Sequence, residues 1–151
     1  MGKIAFVFSG QGAQAPGMGK ELYECSDAAK AVFELCDGIR PGTSEQCFNG
    51  TKEELTVTAN TQPDMFAVEV AAARALVEAG IQPDALAGFS LGEISALAFS
   101  GAVSLEDGFK LVCRRGELMQ EASNAADSAM VAVVKLPPEK VEELAGQLDQ
   151  V

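Results

Sequence analysis

Two short apolar runs each end in glycine and lead into a helical stretch, and this pattern restricts the fold more than any other feature of the chain. Ile4-Ala5-Phe6-Val7-Phe8 runs into Ser9-Gly10-Gln11-Gly12, and Ala85-Leu86-Ala87-Gly88 runs into Phe89-Ser90-Leu91-Gly92. Unbroken apolar runs of this length suit strands covered on both faces. Met130 to Val134 is a third such run, followed by Pro137-Pro138 and a helix to about Leu148. Between the runs the sequence predicts helices. One stretch spans residues 18–38, broken near Ser26, which can cap a second helix. Another spans Pro63–Ala79, with Pro63 in its first turn. Leu91–Phe99 is a third, and Ser104 caps a fourth that runs to about Glu121. Ser123 to Asp127 reads as a loop, and Arg40 to Asn60 gives no firm assignment. Strands alternating with helices imply an α/β fold with a mostly parallel sheet.

At 151 residues and 48% hydrophobic content the chain can bury a real core, and disorder is not expected. Its far end is unusual. The unit opening at Met130 stops just after its helix, so the chain reads as cut inside a structural unit. Eleven Lys and Arg against 22 Asp and Glu give a net charge of −11, which argues against nucleic acid or an anionic membrane as a partner. There is no histidine at all. No Ser-His-Asp triad can be completed within these residues, and no histidine metal site is expected. Cys25, Cys36, Cys47 and Cys113 form no C-x-x-C pair and read as reduced thiols serving as small apolar groups. The opening apolar run is too short for a signal-peptide core or a membrane span. A soluble, cytoplasmic setting is expected.

Chemistry concentrates at three places. Gly88-Phe89-Ser90-Leu91-Gly92 fits G-x-S-x-G between a strand and a helix. A serine at such a turn is held out in a strained conformation, and the flanking glycines permit close approach. The following helix aims free N–H groups at the serine oxygen, so the Leu91 N–H can form half of an oxyanion hole. Glu93, in the first turn of that helix, reads as an acid favoured by the helix N-terminus. Gly10-Gln11-Gly12-Ala13-Gln14 lies at the carboxyl end of the first strand, where ligands bind in parallel sheets. It reads equally as a ligand loop offering the Gln11 amide or as a solvated glycine turn.

The third place follows from helical geometry. With Leu105 at zero, Phe109, Val112 and Met119 fall within about 40° of it. Leu111 and Leu118 fall near about −120° and −140°, and Arg115 lies between the two groups at about −80°. Arg114 falls at about 180°, on the polar face. Arg114 is therefore a surface charge, while Arg115 points into an apolar arc. An inward arginine takes an anion from the protein or a ligand, or extends its head outward to water.

These residues resemble the N-terminal part of the malonyl-CoA:acyl-carrier-protein transacylase family and are similar to polyketide synthase acyltransferase domains. Phe6 to Gln14 looks like that family's opening strand and oxyanion loop. Thr61-Gln62-Pro63 resembles its helix start, Gly88 to Glu93 its serine elbow, and Arg115 to Gln120 its arginine helix. The resemblance implies an α/β-hydrolase-like acyltransferase core over residues 1–126 and the first strand and helix of a ferredoxin-like subdomain over 127–151. It implies Ser90 as nucleophile, Gln11 and the Leu91 backbone as oxyanion hole, and Arg115 as the clamp for the substrate carboxylate. Malonyl-CoA and acyl carrier protein would be the partners, with the carrier's phosphopantetheine thiol as acceptor and no cofactor or metal. The intact parent would be a monomer. The family's general base is a histidine in its later half, so a chain of this extent is expected to be inactive alone.

Two positions depart from the family. Phe89 stands where the family usually has histidine, and Ser9 where it often has proline, a change in loop stiffness. Two other readings explain parts of the pattern. A serine hydrolase, such as an esterase or phospholipase, accounts for Ser90 and the oxyanion hole but not for the inward arginine. A non-catalytic module accounts for the missing histidine.

Overall fold

The computed structural model describes residues 2–125 and 133–147. Strand β1 (Ala5–Phe8) comes first, followed by helices α1 (Lys20–Cys25), α2 (Asp27–Ile39), α3 (Thr43–Asn49), α4 (Lys52–Thr56) and α5 (Thr58–Glu78). Then come β2 (Ala85–Gly88), α6 (Leu91–Ser100), α7 (Leu105–Asn124) and α8 (Pro138–Ala145). The two strands pair in parallel, from Ala5 opposite Ala85 to Phe8 opposite Gly88. Parallel pairing needs a crossover, and α1 to α5 supply it. The result is a mixed α/β arrangement with a small parallel sheet, as expected, but among the described residues β1 is covered on one face only: Phe6 and Phe8 are buried and Val7 is exposed. Because the strands run the same way, the loops after Phe8 and Gly88 emerge side by side.

Local signals set most helix starts. The Ser26 hydroxyl accepts from the Ala29 N–H at 3.1 Å and separates α1 from α2, as its position predicts. The Ser104 hydroxyl accepts from the Asp107 N–H at 3.0 Å and opens α7. Thr51 and Glu54 form a capping box for α4 inside the stretch the sequence left unassigned.

Helix α5 differs from expectation. It begins at Thr58, so Pro63 lies inside the helix and not in its first turn. Tertiary partners hold the added turn. The Thr61 hydroxyl donates to the Leu55 carbonyl at 2.6 Å, and the Thr58 N–H donates to the Gln120 side chain at 2.9 Å. Helix α7 also continues past Glu121 into the expected loop, with Gln120 donating to Asn124 at 3.0 Å along its side. The strand expected at Met130–Val134 falls mostly outside the described residues.

The core gathers on α5, which packs against α2, α6 and α7. Phe33, Phe66, Phe109, Leu55, Leu91, Val70 and Val112 are fully buried. Each such side chain stabilises the fold by about 1.5–3 kcal/mol relative to exposure. Cys36 and Cys47 sit in this core as apolar thiols, and burial pushes both well above the usual thiol range. Cys25 departs from the expected apolar role, since its thiol is exposed. Among the described residues, no helix is long and apolar enough to cross a membrane.

Candidate active site

Ser90 sits between β2 and α6 with φ 55° and ψ −106°, a left-side conformation unusual for any residue but glycine. The neighbouring glycines explain how the turn closes. A Cβ on Gly88 would collide with the Gly92 carbonyl, and a Cβ on Gly92 would collide with the carbonyls of Phe8 and Ser9. Both positions therefore demand glycine. Gly92 also brings the start of α6 against the end of β1, which places Ser90 beside the loop that follows Phe8. Glu93 accepts the Ser90 N–H at 3.2 Å, so this acid fixes the elbow as well as facing the helix dipole. The Leu91 N–H has no partner among the described residues.

Arg115 reaches this serine from α7. Its Nη2 donates to Ser90 Oγ at 3.0 Å, and its Nη1 donates to Gln62 Oε1 at 2.5 Å. The inward direction read from the helical angle is correct, although one flanking arc is open: Leu111 and Leu118 are exposed, while Phe109 and Val112 are buried. Among the described residues, no carboxylate pairs with Arg115. The structural ion pair that could have explained an inward arginine is not present there. Its neighbour Arg114 is exposed and pairs with Glu117 at 2.8 Å, as the polar face predicts.

Gln11 joins the same network through a residue to which the sequence assigned no role. Gln62 Nε2 donates to Gln11 Oε1 at 3.2 Å, and Gln11 Nε2 donates to Thr58 Oγ1 at 3.2 Å. Both ends of the Gln11 amide are thus engaged, and its backbone N–H has no partner among the described residues. Gln62 is almost fully buried and links the loop to Arg115. Gly116 makes the link possible: a Cβ there would lie 3.1 Å from Gln62 Cβ and from the Thr58 carbonyl. An amide buried on so apolar a helix was the available signal for Gln62. Its partners, by contrast, depend on how α5 and α7 pack.

The four site residues singled out from sequence therefore meet at one place, the carboxyl end of the strands. Ser90, Leu91, Gln11 and Arg115 come from three separate segments. Ser90 Oγ accepts a hydrogen bond from a cation, and among the described residues nothing accepts its proton. Phe89 is 73% exposed, and its ring lies against Gly10, where a Cβ would come within 2.7 Å of Cδ1.

A serine held at a helix N-terminus, next to a loop with a free backbone N–H, defines a class of acyl-group-handling sites. The chain belongs to the acyl transferase domain family, which it matches over residues 5–151. It is 43% identical to the malonyl CoA-acyl carrier protein transacylase of Bacillus subtilis (strain 168) over 151 residues, covering 99% of this chain and 48% of that protein. It is 42% identical to polyketide synthase GfsB of Streptomyces halstedii, over 93% of this chain and 3% of that much longer protein. Among solved structures, the malonyl CoA-acyl carrier protein transacylase of Clostridium perfringens superposes with a TM-score of 0.82 at 41% identity, covering 97% of this chain and 46% of that one. The chain spans about half the length of the transacylases it matches.

Proposed function

We propose that this chain carries the nucleophile, oxyanion loop and carboxylate clamp of an enzyme that moves a malonyl group from malonyl-CoA to acyl carrier protein. The observation that carries this reading is Arg115, a half-buried cation bonded to Ser90 and paired with no acid among the described residues. A malonyl group brings both a carbonyl for the serine and a carboxylate for the arginine.

The steps follow from the geometry. The free malonyl carboxylate takes the Arg115 guanidinium in a two-pronged contact and displaces Ser90 Oγ from it. Ser90 Oγ then attacks the thioester carbonyl and loses its proton to a base. The oxyanion that forms accepts from the backbone N–H groups of Gln11 and Leu91. Collapse breaks the C–S bond, CoA leaves and takes up a proton, and malonyl remains as an ester on Ser90. The pantetheine thiol of the carrier attacks that ester in the second half of a ping-pong cycle. With no histidine among the 151 residues, this reading takes the base from residues beyond these. In the same reading, residues 1–126 are part of an α/β-hydrolase-like core and residues 127–151 open a ferredoxin-like subdomain, in a cytoplasmic monomer.

The test uses the protein expressed from its complete reading frame. Incubation with malonyl-CoA should add one malonyl mass, mapped to the peptide holding Ser90, and Ser90→Ala should remove it. Labelling that survives in Ser90→Ala would overturn the assignment.

A further inference from the structure

Helix α5 holds the oxyanion loop at two points, and only one of them involves Gln11. The first is the bond from Gln11 Nε2 to Thr58 together with the bond from Gln62 to Gln11 Oε1. The second is Glu69, on the same face of α5, which accepts the Ser9 hydroxyl at 2.7 Å. Thr58, Gln62 and Glu69 lie within about 40° of one another around the helix. Between the two anchors the backbone of Gly10 passes against the Phe89 ring.

Ser9 follows β1 directly, and nothing covalent restricts its φ. A proline ring fixes φ covalently, and serine does not. The loop here needs another restraint, and Glu69 is placed to give it. The carboxylate is well suited to this. It is half-buried between β1, α5 and α6, and burial pushes its carboxyl above the usual range while the neighbouring Ser95 and Ser9 pull it partway back. Among the described residues the Ser9 hydroxyl is the side chain that donates to Glu69, through Oε1, while Glu69 Oε2 and the neighbouring Ser95 hydroxyl are buried without a partner.

We infer that Glu69 is a positioning residue for the oxyanion loop: through Ser9 it does the work of a loop proline and sets the direction of the Gln11 backbone N–H. The inference rests on the acyl-transfer reading only for what the loop amide does, not for how the loop is held. A misdirected amide weakens the transition state and leaves substrate binding alone.

The test is a double-mutant cycle in the protein from its complete reading frame. Glu69→Ala should lower kcat for malonyl transfer about tenfold with KM for malonyl-CoA little changed. Glu69→Gln keeps an oxygen that accepts from Ser9 and should retain the rate. The double variant Ser9→Pro with Glu69→Ala should recover most of the loss, because the ring replaces the hydrogen bond. A Glu69→Ala variant with unchanged kcat, or a double variant as slow as Glu69→Ala, overturns the inference. Amide hydrogen exchange gives a readout that needs no activity. Exchange at Gly10 and Gln11 should quicken in Glu69→Ala and slow again in the double variant, while the Asp107 amide in the Ser104 cap stays unchanged. If that exchange pattern holds but the wild-type protein transfers no malonyl group, the acyl-transfer reading fails and the positioning role stands. If Glu69→Ala leaves exchange at Gly10 and Gln11 unchanged, the positioning role fails whatever the activity.

Discussion

Two arginines of this chain are drawn inward against α5, and their surroundings differ in one respect. Arg40 donates to Asp64 at 3.3 Å, to Thr43 at 3.3 Å, and to Gln46 and Asn60 at 2.8 Å each. Its charge is matched by a carboxylate that is fully buried. Arg115 has neutral partners only, Gln62 and Ser90, among the described residues. A buried cation that already has its anion is structural, and removing one partner leaves the other charge stranded. Arg115 is held by neutral groups, so under the proposed function its charge is left for an arriving anion. In the reading proposed above, the missing partner, not the burial, is what sets Arg115 apart as a binding arginine from Arg40 as a packing one.

The comparison breaks most visibly at Arg40. Measured above about pH 7, where Asp64 is ionised, Arg40→Ala should destabilise the fold by on the order of 3 kcal/mol, seen as a lower denaturation midpoint, because the Asp64 carboxylate is then buried without its cation. An unchanged midpoint would mean that the pair contributes nothing to the fold. A smaller effect concerns pH. Burial pushes the Asp64 carboxyl from an ordinary value of 3.8 up to about 7, with Arg40 pulling it back. A carboxyl that holds its proton more tightly when folded adds stability that is fully present below its unfolded value. That stability is lost as pH rises through about 7. Asp64→Asn cannot titrate, so its melting temperature should fall less than the wild type's between about pH 5 and about pH 8. Equal slopes in the two proteins would show that Asp64 does not titrate in that window. The smallest effect belongs to Arg114. It is exposed and bonded only to Glu117, so Arg114→Ala should leave melting temperature and transfer rate where they were.

Much of the site was legible in the sequence because its geometry is local. The elbow at Ser90 follows from a strand, two glycines and a helix within a few residues. The direction of Arg115 follows from angles along one helix. Gln62 and Thr58 were not legible in the same way. Their roles arise where α7 presses on α5 at Gly116, and no short-range pattern encodes that approach. The start of α5 was misplaced for the same reason, since its added turn is held by Thr61 on Leu55 and by Gln120 on Thr58. Pro63 was a fair signal for a helix start, and tertiary contacts overrode it. The sequence places Gln11 in the right neighbourhood but does not show what its side chain bonds to. Its segment is the loop beside Ser90, but its side chain is tied to Thr58 and Gln62, and the free donor is the backbone.

The central claim is that Arg115 keeps its charge for a substrate carboxylate. The direct measurement compares malonyl-CoA with acetyl-CoA as acyl donor in wild type and Arg115→Ala, since acetyl has the carbonyl but not the carboxylate. Malonyl transfer should fall by about a hundredfold in kcat/KM while acetyl transfer changes little. Equal losses for the two donors would contradict the claim and return Arg115 to the structural role that Arg40 fills.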